Sequence, residues 1–273
     1  MPEQESKNLT YKQLKKLNHR MFDRDRDILR EILKCRYITT AQIRRLHFLD
    51  AATPSAGLRA ASRALSKLKD YGLIEHLERR IGGVRAGSGS FVWCLQMAGL
   101  KILALNDNEE IPTRKRFFEP SPQFLTHTLA ITETYIRLTE MSGTELINSE
   151  IEPDCWRNYP SIGGTALTLK PDLYAVTASG EYEDHWFFEI DLATESVPRV
   201  LKKCQQYLEY YHNGAEQRRT GIFPIVVWLV PDEKRKSALM YMLTDNFKNT
   251  PAIFRIITPD EFETLVRNGS ETN

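Results

Sequence analysis

The sequence predicts two domains of mixed helix and strand. Three short helices and a basic hairpin come first, and a domain of order αβββαβ follows, extended by a further helix, strand and helix. Three observations carry this reading. The chain has 273 residues, room for two hydrophobic cores. Its charge is split, because residues 1–118 hold 23 Lys and Arg against 13 Asp and Glu, while residues 119–273 hold 14 against 23. The stretch from Thr168 to Tyr211 reads as strand, turn, strand and helix, with acidic side chains gathered near its middle. A formal net charge of +1 conceals the split. The basic half suits a polyanion and the acidic half some other task.

Residues 1–22 form a polar, Lys-rich arm with no clear apolar face until Leu14 and Leu17. Such a segment is more often a solvent-facing tail than a phosphate contact. From Asp23 to Cys35, Ile28, Leu29, Ile32 and Leu33 recur at helical spacing, with Asp23, Asp25 and Asp27 at the start, where the helix dipole favours them. Thr39 or Thr40 suits the N-cap of a second helix carrying Ile43 and Leu46. A Pro-Ser-Ala-Gly turn is expected at 54–57, then a third helix from Leu58 to Tyr71 with Leu58, Ala61, Leu65 and Leu68 facing inward. Gly72 stands where helices commonly end. Two strands, Leu73 to Leu77 and Phe91 to Leu95, flank a Gly-rich loop with Arg79, Arg80, Arg85, Ser88 and Ser90.

Three helices followed by a basic hairpin is the winged helix-turn-helix pattern, here spanning residues 23–105. The expected partner is double-stranded DNA. Arg59, Arg63 and Lys67 recur at i, i+4 and i+8 on the third helix, and Ser62 adds a hydroxyl beside them. Those four side chains are the candidates for base-edge or phosphate contact, and Arg79, Arg80 and Arg85 would neutralise phosphate from the wing. A winged helix used only for protein contacts is the alternative. A homodimer on a symmetric or repeated site is typical of such modules.

Residues 106–122 mix Pro, charge and polar side chains and form the expected linker. The second domain, 123–273, opens with a helix from Gln123 to Met141 and a strand over Glu145–Glu152. A hairpin follows, with strands Leu169 to Val176 and Trp186 to Leu192. Side chains alternate along a strand, so Glu189 and Asp191 are expected on one face and Trp186, Phe188 and Ile190 on the other. Asp172 reaches the acidic face from the first strand. Thr194 is the expected N-cap of the next helix, with Glu195 in its first turn. The apolar run at 221–230 suits a strand buried on both faces, and strand–helix–strand order implies parallel pairing. A helix over Glu233–Phe247, a strand near Ile253–Ile257 and a helix from Asp260 complete the domain.

Three converging carboxylates repel one another unless a cation or a basic partner sits among them, so Asp172, Glu189 and Asp191 are candidate metal ligands, with Mg²⁺ or Mn²⁺ as the candidate ion. Pro171-Asp172 on one strand and Glu189-x-Asp191 on the next, within this element order, resemble the restriction-endonuclease-like PD-(D/E)xK fold. That resemblance implies a metal-binding Asp172 and Glu189, with a Lys two places after the Glu to stabilise the transition state. Asp191 occupies that place instead, and an acid cannot supply positive charge to the phosphate under attack. Lys202 or Lys203 of the following helix is the candidate substitute.

Both halves together resemble the replication-relaxation family. The likeness rests on DRDRDILREILKCRYITTAQIRRLHF, on the run from Ala61 to Ile74, on HTLAITE at 127–133, and on KPDLYAV with FFEIDLATES. It implies a plasmid or mobile-element protein associated with replication or DNA relaxation, with replication or mobilisation proteins as partners. The preferred reading is a DNA-binding accessory protein whose nuclease-like domain lacks catalysis. A metal-dependent endonuclease using Asp172 and Glu189, and a plain transcriptional regulator, stay open.

Other classes fit poorly. Cys35, Cys94, Cys155 and Cys204 are scattered, without zinc spacing, and read as buried reduced thiols. The sequence contains no Walker loop and no tyrosine motif with a His-rich metal cluster. With no secretory leader and no apolar run of membrane-spanning length, the expected location is cytoplasmic, away from any membrane.

Overall fold

The computed structural model describes residues 9–78, 90–107, 119–161, 163–247 and 252–269. It is a mixed α/β structure that divides into two units, Met1–Ile136 and Arg137–Asn273. Most of the expected linker, and the Gly-rich loop from Arg79 to Gly89, lie outside the described residues.

The first unit begins with α1 (Tyr11–Asn18), whose N-cap Thr10 and Gln13 bond reciprocally to each other's backbone N–H groups. In α2 (Asp23–Cys35) the periodic positions Ile28, Leu29 and Ile32 are fully buried. Strand β1 (Ile38–Thr39) leads into α3 (Thr40–His47), and Thr39 forms the capping box with Gln42. Thr40 is buried instead, and its hydroxyl accepts the Trp93 indole N–H at 2.9 Å.

Helix α4 (Pro54–Asp70) corrects the expected turn at 54–57. Thr53 accepts the Ala56 N–H, and Pro54 at the first helical position needs no donor, so these residues start the helix. Leu58, expected to face inward, is 42% exposed, whereas Ala61, Leu65 and Leu68 are fully buried. Gly72, with φ +73°, lets the Leu73 N–H reach back to the Leu68 carbonyl at 3.1 Å and close the helix.

Strands β2 (Ile74–His76) and β3 (Val92–Leu95) pair antiparallel as the hairpin reading requires, and β1 adds to the far side of β3. Helix α5 (Met97–Asp107) was not expected from the pattern. Helix α6 (Pro122–Glu140) contains the division between the units, and its Leu125 packs into a cluster with Tyr37, Leu77, Val92 and Cys94.

The second unit holds β4 (Glu145–Ile151), a separate hairpin of β5 (Arg157–Pro160) and β6 (Ala166–Leu169), then β7 (Leu173–Ser179) and β8 (Tyr182–Ile190). The remainder is α7 (Val197–Asn213), α8 (Ala215–Thr220), β9 (Ile225–Leu229), α9 (Glu233–Asn246), β10 (Phe254–Ile257) and α10 (Phe262–Asn268). The expected strand over 169–176 is therefore two pieces. Leu169 ends β6, and Pro171, which has no N–H for a ladder, separates it from β7.

The five-stranded sheet has the order β10-β9-β8-β7-β4. Strands β4, β7 and β8 are antiparallel neighbours, and β8, β9 and β10 run parallel. The two-residue link between β7 and β8 places Gly180 at φ +65°, as a tight hairpin favours. Register sets the two faces. Tyr174, Phe187, Val226 and Trp228 join Val200, Cys204, Tyr207 and Tyr210 of α7 in one core. On the opposite face Phe188 meets Phe262 of α10, with ring centroids 5.7 Å apart. The four cysteines form no disulfide and are buried. Among the described residues no helix is long and apolar enough to cross a membrane.

Candidate functional site

Two constellations bear the predicted site residues, one in each unit. In the second unit, register brings Asp172, just before β7, beside the end of β8. The Asp172 Oδ2 accepts the Ile190 N–H at 2.7 Å, so this carboxylate ties the hairpin together. Glu189 lies on the α7 side of the sheet and is 1% exposed. Its two oxygens accept from Lys203 Nζ and from the Tyr207 hydroxyl. Lys203 Nζ also stands 3.7 Å from Asp172 Oδ1.

The electrostatics follow from burial. Desolvation pushes the Glu189 carboxyl up to about 8, with Lys203 pulling downward and Asp172 upward. Burial works against the Lys203 ammonium too, but Glu189 and Asp172 outweigh it and hold its pKa above the ordinary lysine value. The group is thus a pair of buried carboxylates closed by an ammonium and a phenol. Neither Tyr207 nor the Ile190 N–H was singled out from sequence. The signal for Tyr207 was its place one turn after Lys203, where i and i+4 share a helix face.

The structure separates the third acid. Asp191 lies just past β8, where strand alternation has ended. Its Oδ2 pairs with Arg235 Nε at 2.5 Å, and its Oδ1 accepts the Ala193 N–H at 2.7 Å. Arg235 also donates to the Glu195 carbonyl at 2.8 Å. The expected convergence of Asp172, Glu189 and Asp191 is therefore corrected, because a neighbouring arginine claims Asp191. Among the described residues no three His, Cys, Asp or Glu side chains are gathered to hold a metal ion. As built, the place between Asp172 and Glu189 is filled by the Lys203 ammonium, so the donor set does not fit a divalent cation. Lys202, the other candidate cation, is exposed on α7 and stands apart from both carboxylates. The expected Thr194 cap is also corrected: Ser196 precedes α7, without a side-chain capping bond.

In the first unit, α4 turns Ala61, Leu65 and Leu68 inward and leaves Arg59, Ser62, Arg63 and Ser66 exposed. Arg59 Nη1 donates to Ser55 Oγ at 2.9 Å, and Ser62 Oγ donates to the Leu58 carbonyl at 2.9 Å. Lys67 leaves this row. An ideal helix advances 3.6 residues per turn, so the i+8 position rotates away from i. Its ammonium pairs with buried Asp25 at 2.9 Å. The wing candidates Arg79, Arg80 and Arg85 lie outside the described residues. Glu133 of α6 accepts from Gln42 Nε2 at 3.1 Å and from Arg45 Nη1 at 2.6 Å, which gives the acid of the HTLAITE motif a structural task.

The sequence model of a protein family described as replication-relaxation matches residues 29–226. That span includes the exposed row of α4 and the centre formed by Asp172, Glu189, Lys203 and Tyr207. No solved structure matches the chain.

Proposed function

The chain belongs to the replication-relaxation family, and from that premise we propose that it is a DNA-binding accessory protein of plasmid or mobile-element replication or relaxation. The first unit is read as a winged helix. Its support is the succession of α2, α3 and α4 followed by an antiparallel sheet that opens into a basic loop sequence. The single observation that carries the reading is the row Arg59, Ser62 and Arg63, exposed on a helix whose other face is buried. A helix presenting two guanidinium groups and a hydroxyl suits phosphate and base-edge contact in a major groove.

The second unit is read as a restriction-endonuclease-like scaffold. Supporting this are the antiparallel run β4, β7, β8 and the crossover through α7 to parallel β9. Its acidic centre is read as structural: the Ile190 N–H, Tyr207 and Lys203 bond three of the four carboxylate oxygens, and Lys203 stands against the fourth. Other replication or mobilisation proteins then supply the chemistry at the origin.

Duplex binding tests the reading. Arg59→Ala and Arg63→Ala should each weaken binding and lower the slope of log affinity against log salt by about 0.9 per lost phosphate contact. Asp172→Asn should leave both quantities near wild type. Unchanged affinity in both arginine variants would remove α4 from the groove. A second reading, a divalent-metal-dependent endonuclease, is favoured by one observation: α7 does deliver an ammonium to the Asp172–Glu189 pair. That is the charge type phosphodiester cleavage requires, arriving from another element than the motif specifies.

A further inference from the structure

Lys67 is spent on Asp25 and so is poorly placed to read a groove, yet its surroundings are not ordinary helix surface. Its ammonium lies 5.0 Å from the centroid of the Phe22 ring and 5.9 Å from that of Tyr71. Two shallow clefts meet there. One is lined by Phe22, Arg24, Asp25, Phe48, Arg63 and Lys67. The other is lined by Ser62, Arg63, Ser66, Lys67, Asp70 and Tyr71. Arg63 and Lys67 form their shared wall. The guanidinium of Arg24 stands over Phe48 at 5.0 Å, so both rings of the first cleft carry a cation.

Phe22 is 72% exposed and gives α2 no side-chain capping bond, so neither core packing nor capping accounts for an aromatic ring at this place. Lysine or arginine stems would cover the helix start equally well. In duplex DNA the base faces are already stacked on one another, so a protruding ring gains a face only by unstacking a step, at a cost. Unpaired bases offer a free face, and rings alternating with cations are how proteins hold a single strand: the rings stack on bases while the cations follow the phosphates.

We propose that the Phe22–Lys67–Tyr71 seam, with Arg24 and Arg63 beside it, is a subsite for unpaired nucleotides of single-stranded DNA at the flank of α4. It rests on the reading of α4 as a DNA-contacting helix and adds a second substrate form, a strand exposed where a duplex has opened. Phe22 supplies the stacking face, Arg24 and Arg63 meet the backbone, and Lys67, fixed by Asp25, keeps the two clefts apart.

Fluorescence anisotropy with labelled oligo-dT and a mixed-sequence duplex of equal length separates the two readings. Phe22→Ala should weaken oligo-dT binding about 5- to 100-fold, the range for loss of one base–aromatic stack, and leave duplex affinity unchanged. Phe22→Trp should restore the loss. Phe22→Leu, which keeps apolar bulk without a π face, should behave as Phe22→Ala. Thermal melting of each variant should match wild type, because the ring is exposed. The proposal is overturned if oligo-dT does not bind while duplex does, if Phe22→Leu equals wild type, or if Phe22→Ala weakens both probes alike. In each of those cases the duplex-binding reading survives, since its own test lies in Arg59 and Arg63. Phe22→Ala that weakens neither probe would likewise overturn the single-strand subsite and leave the duplex reading to its own test.

Discussion

At the scale of single residues, Lys203 decides what kind of centre the second unit contains. A buried carboxylate is tolerated when it is paired and hydrogen-bonded, and removing one partner leaves the other charge stranded. Above about pH 8, where Glu189 carries its charge, Lys203→Met should therefore cost about 3–5 kcal/mol in urea unfolding. Its pH dependence has a definite sign. Burial raises the Glu189 pKa from 4.5 to about 8, so over that interval the folded state holds a proton that the unfolded state has released. Stability from this group falls as pH rises from about 4.5 towards about 8, and is lost above it. Lys203 pulls that pKa down, so in Lys203→Met the decline should extend to higher pH, and adding Glu189→Gln should flatten it. A variant within about 1 kcal/mol of wild type, with the same pH profile, would show that the contact contributes nothing. Much of this was legible in sequence, because strand period places Glu189 and Asp172 together and helix period places Lys203 within reach. The choice between Lys202 and Lys203 was not, since it depends on how α7 is rotated against the sheet.

Secondary-structure elements were legible where one face is buried and the other wet. Helix α2 and the hairpin of β7 and β8 emerged from period alone, and the buried apolar run of β9 from its length. Helix α5 was missed because apolar residues surround it from Ala98 to Leu105, leaving no stripe to detect. Strands β5 and β6 were missed because each is only four residues long, too short for a period to show. Helix α8 is a six-residue polar segment with only Glu216 buried, and that acid is held by Arg219 at 2.8 Å and the Tyr210 hydroxyl at 2.5 Å. Gly99 gives α5 a test of its own. In an exposed helix, Gly→Ala stabilises by about 0.5–1 kcal/mol. Here a Cβ would stand 2.4 Å from the Leu73 carbonyl oxygen, which is backbone and cannot swing aside. Gly99→Ala should instead destabilise by about 1–3 kcal/mol, read as a lowered denaturant midpoint. A stabilised variant would mean that α5 can slide away from the strand entrance at Leu73 without loss.

For the whole molecule, a basic first half and an acidic second half within 273 residues bear on the proposal that the chain binds DNA without cutting it. Binding requires only the exposed row on α4, whereas cutting requires carboxylate oxygens that are free to serve a reaction. Three of the four oxygens of Asp172 and Glu189 accept a hydrogen bond within the protein, the fourth faces the Lys203 ammonium at 3.7 Å, and both side chains are below 10% exposed. Opening that centre would mean withdrawing Lys203 from two carboxylates at once, at a cost of the same order as its loss in Lys203→Met. Supercoiled plasmid incubated with the full chain, with and without Mg²⁺ or Mn²⁺, should accordingly be shifted but not cut, and Glu189→Gln should shift it equally. Metal-dependent nicking that vanishes in Glu189→Gln would reverse the assignment. Lys203 would then be the relocated cation of a working nuclease, and closure of the centre would describe its resting arrangement. Nicking that persists in Glu189→Gln would point away from this centre altogether, towards a contaminant or another site on the chain, and Asp172→Asn would distinguish those two.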